Sequence, residues 1–180
     1  MVDRKNGGDE MNREKVITDW FQQYSDSVYH YLLYRVGPTE AEDLVQEVFI
    51  RALKGVHSFE GGSHPKTWLI SIARHVVIDE YRKKEHKTRK KMAPFRTTDE
   101  PKTLDTPDTL FLEKEETIEL YQAIQSLKPK YRDVIILRGI QDLTVRETAS
   151  VLKWSESKVR ITFFRAKSAL KKCLNRRFEK

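Results

Sequence analysis

A chain of 180 residues with 38% hydrophobic content holds enough apolar side chains for one ordinary domain or two small ones, which excludes disorder throughout. Its 34 Lys and Arg against 27 Asp and Glu leave a net charge of +7, and its single cysteine, Cys173, excludes an internal disulfide. The positive excess favours an anionic partner, without separating nucleic acid from a membrane surface.

The opening MVDRKNGGDEMNREK is Gly-containing, charged and without the apolar core of a signal peptide, so residues 1–14 are expected to form a flexible tail. In TDWFQQYSDSVYHYLLYRV, Trp20, Phe21, Tyr24, Val28, Tyr31 and Leu32 recur at helical spacing until Gly37 and Pro38 interrupt them. Thr39 and Glu42 have capping-box spacing at the head of a helix over 40–54, whose apolar stripe is Ala41, Leu44, Val45, Val48, Phe49, Ala52 and Leu53. Gly55 ends it. SFEGGSHP is a loop by its glycine pair, and Pro65 opens an amphipathic helix in which Trp68, Leu69, Ile72, Ala73 and Val76 face inward. That helix runs into the basic tract RKKEHKTRKK.

From residue 88 to 112 the periodicity dissolves around three prolines, which predicts a flexible linker between a module at 15–87 and one at 113–178. Helical patterns return in EKEETIELYQAIQSL and KYRDVIILRGIQDL. The fold class is therefore all-α, two small helical domains, with no period-two stretch long enough for a sheet. Charge divides between them. Residues 1–80 hold nine basic and thirteen acidic side chains, whereas residues 117–180 hold fifteen and six.

In DLTVRETASVLKWSESKVRITFFRAKSALKK, Thr144 and Glu147 form a second capping box, Val145, Ala149 and Leu152 face inward, and KWS turns into another helix near Ser155. Val159, Phe163, Ala166 and Leu170 bury one face of that helix, leaving Lys158, Ile161, Thr162 and Arg165 open with Arg160 at the margin. This is a helix-turn-helix over 144–165. Long donors on the exposed half of its second helix suit guanine edges and phosphates in a major groove, although basic helical hairpins also occur in proteins that touch no DNA.

Taken together, EAEDLVQEVFIRALK, KTWLISIARHVVIDEYRKK, LKPKYRDVIILRGIQDLTVRETASVL and SESKVRITFFRAKSALKK resemble the extracytoplasmic-function sigma factors of bacterial RNA polymerase, over about residues 15 to 175. The resemblance implies promoter-directed initiation, with no enzymatic activity and no cofactor. It implies that the helix holding Asp43, Leu44, Gln46, Glu47 and Ile50 docks on a large subunit of core polymerase. Asp43, Gln46, Glu47 and Ile50 lie off the apolar stripe, and such a face suits a basic partner helix as well as plain solvation.

The same resemblance places Phe59, Ser71, Arg74, His75, Arg82 and Lys83 on the minus-ten element, where opened strands need cations for phosphate and a pocket for an unstacked base. Phe59 and Trp68 are equally consistent with ordinary core aromatics. Ser157, Lys158, Arg160, Ile161, Thr162 and Arg165 would read the minus-thirty-five element. Many members of the family carry Asn at the position of His75 and Arg at that of Thr162, so promoter preference does not transfer. A membrane-anchored anti-sigma factor as partner, a monomeric free state and a cytoplasmic location without direct membrane insertion complete what is implied.

Two other classes fit less. A one-component helix-turn-helix regulator would need a ligand pocket or a dimer seam, which the first module does not suggest. An enzyme would need a nucleophile motif, a phosphate loop or metal spacing; none is seen among the histidines His30, His57, His64, His75 and His86, and no metal site is expected.

Overall fold

The computed structural model describes residues 6–91 and 115–178, with side chains described over 12–86 and 117–175. All regular structure among the described residues is helical. The first half contains α1 (Asn6–Val36), α2 (Pro38–Gly55), a short 3-10 turn (Val56–Ser58) and α3 (Pro65–Lys91). The second contains α4 (Glu115–Gln125), α5 (Pro129–Ile135), a π-helical turn (Ile136–Ile140), α6 (Val145–Leu152) and α7 (Glu156–Phe178). No helix of the described residues is long and apolar enough to cross a membrane.

Three expectations change. Helix α1 begins at Asn6, so residues 6–14 are helical rather than an unstructured tail. Helix α3 continues to Lys91, which takes residues 88–91 out of the expected linker; residues 92–112 lie outside the described residues. The capping box at Thr39 and Glu42 does not form. Gly37 is the N-cap instead, with φ at 92°, and its amide donates to the Leu33 carbonyl at 3.0 Å. That left-handed backbone suits glycine, and Pro38 follows at the first helical position, so Thr39 falls inside the turn.

The apolar stripes meet as the periodicity requires. Val28, Leu32, Val48, Leu69, Ile70 and Val77 are fully buried between α1, α2 and α3. Ile124, Val134, Ile136, Leu137 and Val159 are buried to the same degree in the second half, and all but Val159 belong with them to one continuous apolar cluster. Each such side chain contributes roughly 1.5–3 kcal/mol. Leu53, expected in the α2 stripe, is 42% exposed because it lies near the end of the helix, past its last core contact at Ala52.

The second capping box forms in full. The Glu147 amide donates to Thr144 Oγ1 at 3.2 Å, and the Thr144 amide donates to Glu147 Oε2 at 2.8 Å. Burial works to raise the Glu147 carboxyl, but hydrogen bonds from Thr144 and Thr67 outweigh it and hold it below its ordinary value. Because α6 has only 8 residues, its cap carries a large share of its stability. Thr144→Ala should lower the unfolding free energy by about 1 kcal/mol, read as a lower urea midpoint at unchanged slope. An unmoved midpoint would mean that packing alone holds α6.

Candidate nucleic-acid and partner interfaces

On α2, Asp43, Gln46 and Ile50 are exposed, Glu47 is partly exposed, and Leu44 is half-buried toward the core. The acidity of this face is smaller than the sequence suggests. Arg51 Nε donates to Glu47 at 2.7 Å and its Nη1 to Asp79 of α3 at 2.7 Å, so Glu47 is one end of a strut between two helices. Those two hydrogen bonds raise the Arg51 guanidinium, and the one from Arg51 lowers the Asp79 carboxyl. Apolar surface takes its place: Ile50 is 47% exposed, Leu53 42% and Phe21 46%, the last packing edge-on against Phe49 at 4.9 Å. Phe21 comes from α1 and Leu53 from the supposed stripe, so a reading of one face of α2 could not find either. Exposed apolar side chains of this size are the kind from which protein-docking surfaces are built.

The loop before α3 rests on three aromatic rings. Phe59 meets Trp20 at 5.1 Å and Trp68 at 5.3 Å, and the two tryptophans stand 5.8 Å apart. Edge-to-face contacts of this kind fix the loop's base, while residues 60–64 remain exposed. Phe59 is thus half-buried, anchored rather than presented.

Along α3 the expected row divides. His75, Arg82 and Lys83 are exposed, with Lys83 3.6 Å from Glu80. Ser71 and Arg74 are half-buried: the Ser71 hydroxyl donates to the Trp68 carbonyl at 2.6 Å, and Arg74 lies close enough to Tyr31 to offset part of the burial that raises that phenol to about 12. The solvent-facing members of the row are therefore the His75 imidazole and the cations Arg82 and Lys83.

Helix α6 ends at Lys153, in left-handed backbone at φ 55°, and Ser155 Oγ accepts from the Lys158 amide at 3.3 Å to start α7. Two short polar devices thus set the angle between the helices of the helix-turn-helix. Ser157, Lys158, Arg160, Ile161 and Arg165 are exposed; Thr162 is half-buried, which corrects its place on the open face. Lys158 Nζ lies 4.2 Å above the Trp154 ring, and Arg160 pairs with Glu156 at 2.9 Å. Phe164, unassigned from the sequence, is 71% exposed beside Ile161 at 53%. The adjacent Phe163 packs inward, as its place in the stripe with Val159, Ala166 and Leu170 requires.

A family model for sigma-70 region 2 matches residues 20–87, and one for sigma-70 region 4 matches residues 117–170. The chain is 41% identical over 155 residues to the ECF RNA polymerase sigma factor SigX of Bacillus subtilis (strain 168), covering 84% of this chain and 80% of that one. This chain is an extracytoplasmic-function sigma factor. It is also 35% identical over 170 residues to the RNA polymerase sigma factor YlaC of the same organism, covering 90% of this chain and 94% of that one. In fold it resembles the sigma factor RpoE of Bartonella quintana, solved in complex with the anti-sigma factor NepR, with a TM-score of 0.70, 21% identity and coverage of 89% of this chain and 98% of that one.

Region 2 of the sigma factor therefore contains the apolar α2 face, the aromatic trio and the α3 row, and region 4 contains the helix-turn-helix. As a sigma factor the chain directs transcription initiation by RNA polymerase.

Proposed function

We propose that the exposed strip of Phe21, Ile50 and Leu53, with Asp43, Leu44, Gln46 and Glu47, docks on core polymerase, that His75, Arg82 and Lys83 with Phe59, Ser71 and Arg74 engage the minus-ten element, and that α7 reads the minus-thirty-five element through Ser157, Lys158, Arg160, Ile161, Thr162 and Arg165. The observation that carries this reading is the difference between the surfaces. The α2 face is apolar with an acidic flank, a poor match for phosphate, whereas α7 exposes Lys158, Arg160 and Arg165 on a helix projecting from a capped turn. The protein acts in the cytoplasm as a monomer until it joins polymerase. An anti-sigma factor is the expected restraining partner, supported by the complex in which the similar RpoE was solved.

Adding the purified chain to core polymerase on a promoter template should give transcripts with one defined start; random starts with or without the chain would sink the assignment. Ile50→Asp places a charge in the middle of the docking strip and should weaken core affinity at least about tenfold, which corresponds to about 1.4 kcal/mol. Asp43→Lys should weaken it less, as rim charges do. Circular dichroism checks folding of both variants, and unchanged core affinity in folded Ile50→Asp protein would remove this face from the interface.

A further inference from the structure

The turn of the helix-turn-helix carries a ring that the packing of α6 on α7 does not fully use. Helix α6 stops where Lys153 takes left-handed backbone, and the Lys153 and Trp154 amides donate back to the Ser150 and Ala149 carbonyls at 3.2 and 3.0 Å. These two bonds fix the turn before α7 begins. Trp154 packs against the apolar cluster yet is only half-buried, so part of the indole stays open to solvent. Lys158, the third residue of α7, is exposed, and its ammonium lies 4.2 Å from the centroid of that ring.

The place of this ammonium calls for a cause. Side chains on a helix lean toward its N-terminus, which carries the Lys158 stem back over the turn, and the first turn holds the positive end of the helix dipole, where a cation is disfavoured. The negative face of the indole offsets that cost. The carboxylate of the same turn, Glu156, is taken by Arg160 at 2.9 Å. The two cations are therefore held in different ways. A phosphate must displace Glu156 to engage Arg160, whereas an ammonium resting on a ring face keeps donors directed away from the ring and can meet a phosphate without leaving it. A free lysine would lose much rotamer freedom on binding; one already laid on a fixed ring loses less.

We propose that Trp154 is a positioning residue for binding of the minus-thirty-five element: its indole holds the Lys158 ammonium at the start of α7, set for a backbone phosphate beside the bases that the helix reads. The inference rests on the reading of α7 as the DNA-binding helix and of Lys158 as one of its contacts. A compact ammonium suits phosphate, and phosphate contacts fix the register of a helix on the duplex without selecting sequence. Loss of the ring therefore weakens all promoters alike. Leucine at this position keeps an apolar side chain against the cluster but has no ring face to offer a cation.

The test is a double-mutant cycle in the reconstituted holoenzyme, with binding to promoter duplexes read by fluorescence anisotropy at several salt concentrations. Trp154→Leu should weaken binding about three- to tenfold on every minus-thirty-five variant alike, with the salt slope kept because Lys158 still reaches its phosphate. Trp154→Phe, which keeps a smaller ring, should fall between Trp154→Leu and the wild type. Lys158→Ala should weaken binding and lower the salt slope by about 1. In the Lys158→Ala background, Trp154→Leu should then change affinity by less than about twofold, because the ring has no cation left to hold. Urea midpoints show that each variant is folded, and a packing loss common to both backgrounds cancels in the cycle. Equal losses from Trp154→Leu with and without Lys158 would make the indole a packing residue and overturn the proposal. Unchanged affinity and salt slope in Lys158→Ala holoenzyme would instead overturn the reading of Lys158 as a DNA contact, and the positioning role with it.

Discussion

Trp68→Ala is expected to cost about 3–5 kcal/mol of stability, a third or more of what a domain of this kind possesses. The indole touches Phe59 at 5.3 Å and Trp20 at 5.8 Å, and it lies under Gly55, where an added Cβ would meet its ring at 3.6 Å. Its removal leaves a cavity at the corner where α1, the 3-10 turn and α3 converge. Phe59 then loses one of its two aromatic walls, so the exposed loop at 60–64 has no fixed base and promoter opening falls with stability. Trp68→Phe retains an edge contact and should lose less of both. Urea unfolding monitored with single-round transcription decides between the two roles the sequence leaves open for Trp68. Loss of opening in Trp68→Ala protein whose urea midpoint is unchanged would show that the ring serves DNA rather than the core.

The features legible in the sequence are those with local causes. The capping box at Thr144 and Glu147, the break at Lys153 to Ser155 and the 3.6-residue stripe through Val159 and Ala166 each involve neighbours within a turn or two, so the helix-turn-helix can be read directly. The same rule misleads at Thr39, where spacing alone cannot know that Gly37 has taken a left-handed conformation and set the helix start two residues earlier. Adjacent aromatics show what the stripe leaves out: it places Phe163 inward, and Phe164, one residue on, is left outside it and exposed. The exposed apolar side chains Phe21, Ile50 and Leu53 come from two helices, and Arg35 pairs with Asp133 across 98 positions. Polar pairing at that separation leaves no periodic trace, so nothing in either half announces that the halves meet. Glu47 shows the cost of counting charges without their partners, because Arg51 already pairs with it and with Asp79 of α3.

Phe164 and Arg165 carry the largest expected effect on DNA binding. Phe164 is 71% exposed, so Phe164→Ala should change stability by no more than about 0.5 kcal/mol. With Ile161 it offers an apolar edge on a helix otherwise lined by Lys158, Arg160 and Arg165, and in a major groove the apolar feature of a base pair is the thymine methyl. Phe164→Ala in the holoenzyme should therefore weaken binding by about 1–3 kcal/mol on a minus-thirty-five element with thymine at the contacted position, and by little where that thymine is replaced. Arg165→Ala should lose a similar amount. If Arg165 reads a base, the loss is confined to one position; if it holds phosphate, all sequences weaken alike and the salt slope falls by about 1. Arg160 starts from an ion pair with Glu156, which DNA phosphate must displace, so its truncation should cost less than that of Arg165. Anisotropy titrations of each variant holoenzyme against single-base promoter variants at several salt concentrations measure all of these. Loss of core-polymerase affinity by Phe164→Ala, with its promoter preference unchanged, would make Phe164 a protein contact and move the reading surface off that edge of α7.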